Sequence, residues 1–111
     1  MTTSSKERLA RNEALFREIN EHIRDAAAAH GSDGHLYQFL CECADTECLE
    51  RVELTLSEYE RVRADGRRFV VSSGHRDPDL ETVVAAEPGH EVVEKRGEAG
   101  HAAARLDPRA A

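Results

Sequence analysis

The sequence predicts a small α+β domain, and three observations lead there. Two capping-box patterns mark helix starts, short β-rich runs fall between them, and three cysteines crowd into eight residues, Cys41-Glu42-Cys43-Ala44-Asp45-Thr46-Glu47-Cys48. The expected order is α-β-β-α-β-α-β, a small sheet stapled by zinc and packed by helices. With 111 residues the chain has room for one domain. We expect a disordered stretch over residues 1–5, a folded zinc-binding domain over 6–96 and a flexible tail over 97–111, where Gly, Ala and charge replace apolar bulk.

Ser4-Ser5-Lys6-Glu7 opens the first helix, with Leu9, Phe16, Ile19, Ile23 and Ala26 at helical spacing and Gly31 as its stop. The stripe is narrow, interrupted at Asn12, and suits packing on its own domain better than a coiled coil with a second chain. Leu36 to Cys41 reads as a strand that delivers the first cysteine, and Arg51 to Leu54 as its partner. The cysteine loop is then an elaborated hairpin connection, and its acidic residues Glu42, Asp45, Glu47 and Glu50 are expected to face solvent.

Thr55-Leu56-Ser57-Glu58 forms a second capping box, with Leu54 and Tyr59 placed as a hydrophobic staple, and Gly66 ends that helix. Phe69-Val70-Val71 is a strand leading to Ser72-Ser73-Gly74-His75. Asp77-Pro78 can start a short third helix through Leu80, Val83 and Val84, closed by Pro88-Gly89. The β-branched Thr82-Val83-Val84 run also permits a strand there. Glu91 to Lys95 supplies the last strand.

Composition removes several function classes. A formal charge of −7 gives no general attraction to nucleic acid. No apolar run is long enough for a transmembrane helix, and the N-terminal residues lack an apolar signal region, so a cytoplasmic protein is expected. An odd cysteine count in a reducing compartment argues against a disulfide scaffold. Arg outnumbers Lys thirteen to two, which we read as coding bias.

The cysteine cluster carries the sharpest chemistry. Zinc takes three or four thiolate or imidazole ligands in a tetrahedron. A Cys-x-Cys turn can turn both sulfurs to one side, and four intervening residues let Cys48 return to the same ion. His75 is the favoured fourth ligand because it follows a strand and a glycine, with His35 next and then His90, Asp45 or water. The bland alternative, three buried cysteines acting as small hydrophobes, fits the acidic surroundings poorly. An iron–sulfur cluster ordinarily needs four cysteines.

No His-Glu-x-x-His helix, deaminase signature, phosphate loop or nucleophile elbow is present, so a non-enzyme is expected. The favoured reading is a protein-interaction module, adaptor or regulator, with one structural Zn²⁺ on Cys41, Cys43, Cys48 and His75. The first alternative is a zinc–thiolate redox sensor that loses its metal on oxidation. A third is an RNA- or phosphate-contacting module using Arg61, Arg63, Arg67 and Arg68, although charge at a helix C-terminus explains that cluster equally well. Candidate partner contacts are that cluster and Leu9, Phe16 and Ile23 of the first helix, through which a homodimer would also form.

The segments Arg11 to Asn20, Phe39-Leu40-Cys41-Glu42-Cys43 with Cys48, Val52 to Arg63 and Phe69-Val70-Val71 with Gly74-His75 resemble a group of small uncharacterised proteins from high-GC Gram-positive bacteria. The resemblance covers about residues 11 to 95. In that group the Gly-His pair is commonly preceded by Pro and followed by Glu, whereas Ser73 and Arg76 stand here. The resemblance implies that the cysteines and His75 belong together, and implies no activity.

Overall fold

The computed structural model describes residues 5–31, 34–43, 45 and 47–109, with side chains from residue 11 onward. It is an α+β domain of three helices and two small antiparallel sheets, in the order α1 (Ser5–His30), β1 (Tyr37–Leu40), β2 (Arg51–Leu54), α2 (Leu56–Arg63), β3 (Arg68–Ser72), β4 (Glu81–Glu87), β5 (His90–Lys95) and α3 (Gly97–Arg105). The first capping-box serine, Ser4, lies outside the described residues.

Helix α1 has 26 residues, so it is about 39 Å long at 1.5 Å per residue and accounts for most of the 46 Å long axis. Gly31 stops it at φ 74°, where its N–H donates to Ala27 O (3.3 Å). The face it buries is not the expected apolar stripe. Glu13, Arg17, Asn20 and Ala27 are buried, Ile19 and Ala26 are exposed, and Phe16 and Ile23 are half-buried, with Ile23 packed on the core. Leu9 lies outside the residues whose side chains are described.

The reason is what α1 meets. It lies against backbone groups that the sheets leave unpaired, and these require polar partners. Asn20 Nδ2 donates to Leu40 O (3.0 Å) while Asn20 Oδ1 accepts from Leu40 N (2.7 Å), so one amide serves as a strand neighbour for Leu40. Arg17 donates to Gly66 O (2.7 Å) and to Arg68 O, with its guanidinium 3.7 Å from the centroid of the Phe69 ring.

Strands β1 and β2 form the expected hairpin, in register from Tyr37↔Leu54 to Leu40↔Arg51. The second capping box is present. Glu58 N donates to Thr55 Oγ1 (3.1 Å) and Thr55 N donates to Glu58 Oε1 (2.8 Å). Leu54 and Tyr59, the staple pair, are both buried in the core, where the Tyr59 and Phe39 rings stack with centroids 4.4 Å apart. Phe69, Val70, Val71 and Val93 complete that core from the second sheet.

The second sheet corrects the expected third helix. Its order is β3-β5-β4, and residues 81–87 are a strand paired with β5. The Asp77-Pro78 signal is locally real. Asp79 N donates to Asp77 Oδ1 (3.0 Å), and Leu80 N and Glu81 N both donate to Asp77 O. That makes only a single turn. The β-branched residues beyond it find a ready strand partner across the Pro88-Gly89 turn, where Gly89 sits at φ 87°.

The expected tail also differs. Gly97–Arg105 is helix α3, although it carries little apolar bulk. Close approach and ion pairs hold it instead. A Cβ at Gly100 would lie 2.6 Å from Lys95 O, so only glycine permits this contact. Beyond the helix, Asp107 pairs with buried Arg63, and Arg109 bridges Glu21 and Glu60.

Candidate metal centre

Extended backbone delivers Cys41 directly after β1, and its N–H donates to Glu50 O (3.2 Å) to continue the hairpin by one step. The chain then turns. Cys48 N donates to Asp45 O (3.1 Å) and Glu47 N to Asp45 Oδ1 (2.9 Å), so Asp45 builds the loop that returns Cys48. On the other side of the site, the chain reverses after β3. His75 N donates to Ser72 O (3.0 Å), and Gly74 occupies φ 82° between them.

These two turns bring Cys41, Cys43, Cys48 and His75 together, with all four ligand atoms within 4.8 Å of one another. His75 Nδ1 lies 3.6 Å from both Cys41 Sγ and Cys48 Sγ. A zinc tetrahedron with Zn–S near 2.3 Å and Zn–N near 2.0–2.1 Å has S···N edges of about 3.5–3.6 Å and S···S edges of about 3.8 Å. The two sulfur–nitrogen separations at His75 match that edge, and the remaining pairs lie within 4.8 Å, close enough to close on an ion by a small adjustment. Three sulfurs and one nitrogen are also the donor set that favours a tetrahedral, thiophilic ion.

With no ion bound, the surroundings favour neutral thiols. Burial pushes the Cys43 thiol up to about 12 and raises Cys41 as well, so neither thiolate is favoured by its surroundings alone. A divalent ion at the centre would reverse this, because it stabilises the thiolates directly and displaces their protons. Backbone donors are already in place. Ser72 N lies 3.2 Å from Cys41 Sγ, and further backbone contacts lower Cys41 through Cys43 and Cys43 through Asp45. Cys41 and Cys43 are buried, Cys48 is half-buried and His75 is exposed, so one side of the site faces solvent.

The residue between the first two cysteines corrects another expectation. Glu42 is fully buried and does not solvate the loop. Side chains alternate along extended backbone, so turning Cys41 and Cys43 to the site turns Glu42 the other way. There Glu42 Oε1 accepts from Val70 N (3.0 Å) and Oε2 accepts from Asn20 Nδ2 (2.9 Å), while Glu42 N donates to Val70 O (2.8 Å). Glu42 therefore completes the outer edge of β3 and joins the two sheets to α1. Burial raises its carboxyl, and Arg17 opposes that shift.

The other fourth-ligand candidates are elsewhere. His35 lies against Tyr37 with the rings tilted and their centroids 4.6 Å apart, His90 is buried opposite Ser72 in the β3–β5 register, and neither belongs to the cluster. The arginine group is largely consumed within the fold. Arg63 is buried between Glu21 and Asp107 and is not presented to a partner, Arg67 pairs with Asp65, and Arg68 pairs with Glu94. Arg61 alone of the four is exposed and makes no ion pair among the described residues. Among those residues no helix is long and apolar enough to cross a membrane. Comparison with known proteins finds no matching family model, curated protein or solved structure, so the functional reading rests on this geometry.

Proposed function

We propose that the chain is a non-enzymatic protein-interaction module, adaptor or regulator, whose fold is fastened by one Zn²⁺ on Cys41, Cys43, Cys48 and His75. One observation carries the metal: four ligand atoms from two separate turns converge within 4.8 Å, with sulfur–nitrogen separations of a zinc tetrahedron. Four protein ligands leave no open position for a substrate, which favours a structural ion over a catalytic one. The interaction role draws on Leu15 and Ile19, exposed one turn apart on the outer face of α1. That face replaces Phe16 and Ile23 as the contact surface, because Ile23 is used in the core.

Native mass spectrometry of untagged protein, purified with its thiols reduced, tests this reading beside Cys48→Ser and His75→Ala. One zinc per chain, weakened by both substitutions, is the expected result, and the same spectra report any dimer. A well-folded wild type that stays metal-free after zinc is added would overturn it.

The solvent-facing side of the site favours one second reading. Peroxide could reach Cys48, and oxidation of two thiolates to a disulfide, with peroxide reduced to water, would release the ion. Stoichiometric zinc release by mild peroxide, reversed by a thiol reductant, would identify a redox sensor.

A further inference from the structure

Away from the metal centre, a cleft of about 900 Å³ opens between the first half of α1, helix α3 and the end of β5. That volume lies within the range of about 300–1,000 Å³ typical of small-molecule sites. Its walls are unusual for an internal gap in so small a domain. Helix α3 turns Ala99, Ala102, Ala103 and Leu106, spaced i, i+3, i+4 and i+7, towards this space, and Leu106 remains 44% exposed. An amphipathic helix normally buries such a stripe, and here part of it faces the cleft.

The charges in the cleft fall into two layers. At the floor, the Lys95 ammonium is paired with Glu13 and Glu81, while Arg17 lies over the Phe69 ring, so positive and negative groups offset one another. At the mouth, exposed Arg11, Arg96 and Arg105 face only Glu98 among the acidic residues that line it. Arg96 is already held by Pro78 O and Thr82 Oγ1. Arg11 and Arg105 make no ion pair with any residue whose side chain is described. In a chain with a formal charge of −7, two arginines without an ion pair to any described side chain thus stand at the opening of an apolar-walled cleft.

We propose that this cleft binds a small amphipathic organic anion, its acid group held by Arg11 and Arg105 and its apolar body lying along Ala99, Ala102 and Leu106. Guanidinium groups recognise carboxylates and phosphates alike, so either acid group satisfies the mouth. Affinity would come from the apolar wall and sign selectivity from the arginines.

The test is an amide-resolved NMR titration of the reduced full chain with octanoate, octyl phosphate, octylammonium and inorganic phosphate. Shifts confined to the cleft with octanoate or octyl phosphate, and none with octylammonium, are expected; whichever acid binds tighter identifies the source of the acid group. Arg11→Glu with Arg105→Glu, two surface changes, should weaken binding by at least about tenfold. Ala102→Phe should block the cleft while preserving the remaining amide spectrum. Equal binding of octylammonium, equal binding of inorganic phosphate, an unchanged affinity in the double variant, or no shift by about 1 mM ligand would each overturn the proposal.

Discussion

Replacing Glu42 by Ala removes a buried carboxylate that accepts two hydrogen bonds, so its effect can be worked from the structure. Val70 N loses its acceptor and stays buried, at a cost of about 1–3 kcal/mol. Asn20 Nδ2 loses one of two acceptors but keeps Leu40 O, so that part costs about 1 kcal/mol. Removing two buried methylene-sized groups adds about 1 kcal/mol, and deleting a desolvated carboxylate returns some of the total. The expected loss is therefore about 2–4 kcal/mol. At about 5 °C per kcal/mol for a domain of this size, Tm falls by roughly 10–20 °C. Glu42→Gln should cost less, about 1–2 kcal/mol. Its Oε1 can still accept from Val70 N, but its amide would face Asn20 Nδ2, donor against donor. Asn20 cannot turn to relieve this, because Leu40 already fixes both ends of its amide. Urea denaturation with zinc in excess measures both variants. Glu42→Ala within about 0.5 kcal/mol of wild type, or Gln more damaging than Ala, would refute the hydrogen-bond argument.

Three further outcomes are expected. Burial raises the Glu13 carboxyl from 4.5 to about 7 despite Lys95, with Glu81 also raising it and Arg17 lowering it. The folded state then holds a proton that the unfolded chain releases, so stability should fall by about 1–2 kcal/mol as pH rises from 4.5 to 7, and Glu13→Gln should flatten that slope in denaturation at several pH values. Glu60 behaves oppositely. Its hydrogen bonds from Arg109 hold it at about 2, ahead of the opposing effect of burial and with help from Arg24, so its contribution is present above pH 4.5 and lost as pH falls towards 2. Because Arg109 and Glu60 are partly exposed, Arg109→Ala, which also removes the pair with Glu21, should cost only about 1 kcal/mol near pH 6 and clearly less near pH 2, as read from acid denaturation curves. Removing metal with a chelator should accelerate hydrogen exchange at residues 37–54 while β4 and β5 keep their protection; uniform loss of protection would show that the ion supports the whole domain.

The parts of the fold written in local chemistry were legible from sequence. The Thr55 capping box, the Leu54–Tyr59 staple, the β1–β2 hairpin and the Gly74 turn each depend on a few neighbouring residues, and the structure has all of them. The candidate metal site was legible for a related reason, since three of its four residues are close in sequence and His75 follows a glycine just after β3. What was illegible depended on distant partners. Asp77-Pro78 gives a valid helix start, but whether the chain continues as helix or strand is decided by β5 and the Gly89 turn. Glu42 looked like a solvated acid because its neighbours are acidic, and its burial depends on distant partners, the hydrogen bonds from Val70 and Asn20 and the charge of Arg17. Glu13, Arg17 and Asn20 do recur at i, i+4 and i+7, a polar stripe at the spacing of a buried face, which a search for apolar periodicity passes over.

This polar face of α1 also bears on what a metal at the candidate site would do. The two sheets share no ladder; β1 pairs only with β2, and β3 pairs with β5. Their link near the loop consists of one backbone bond and one carboxylate from Glu42 to Val70, and one N–H from Ser72 to Cys41 Sγ. Hydrogen bonds of this kind contribute about 1 kcal/mol each, more where one partner is charged. An ion held by Cys41, Cys43 and Cys48 on one side and by His75 on the other would cross the same seam with a much stronger bond set. Glu42 alternates with the candidate ligands Cys41 and Cys43 along three consecutive residues, so an ion there would secure the seam on the face opposite Glu42. The cysteine loop is then the point at which one short segment determines how the two halves of the domain meet.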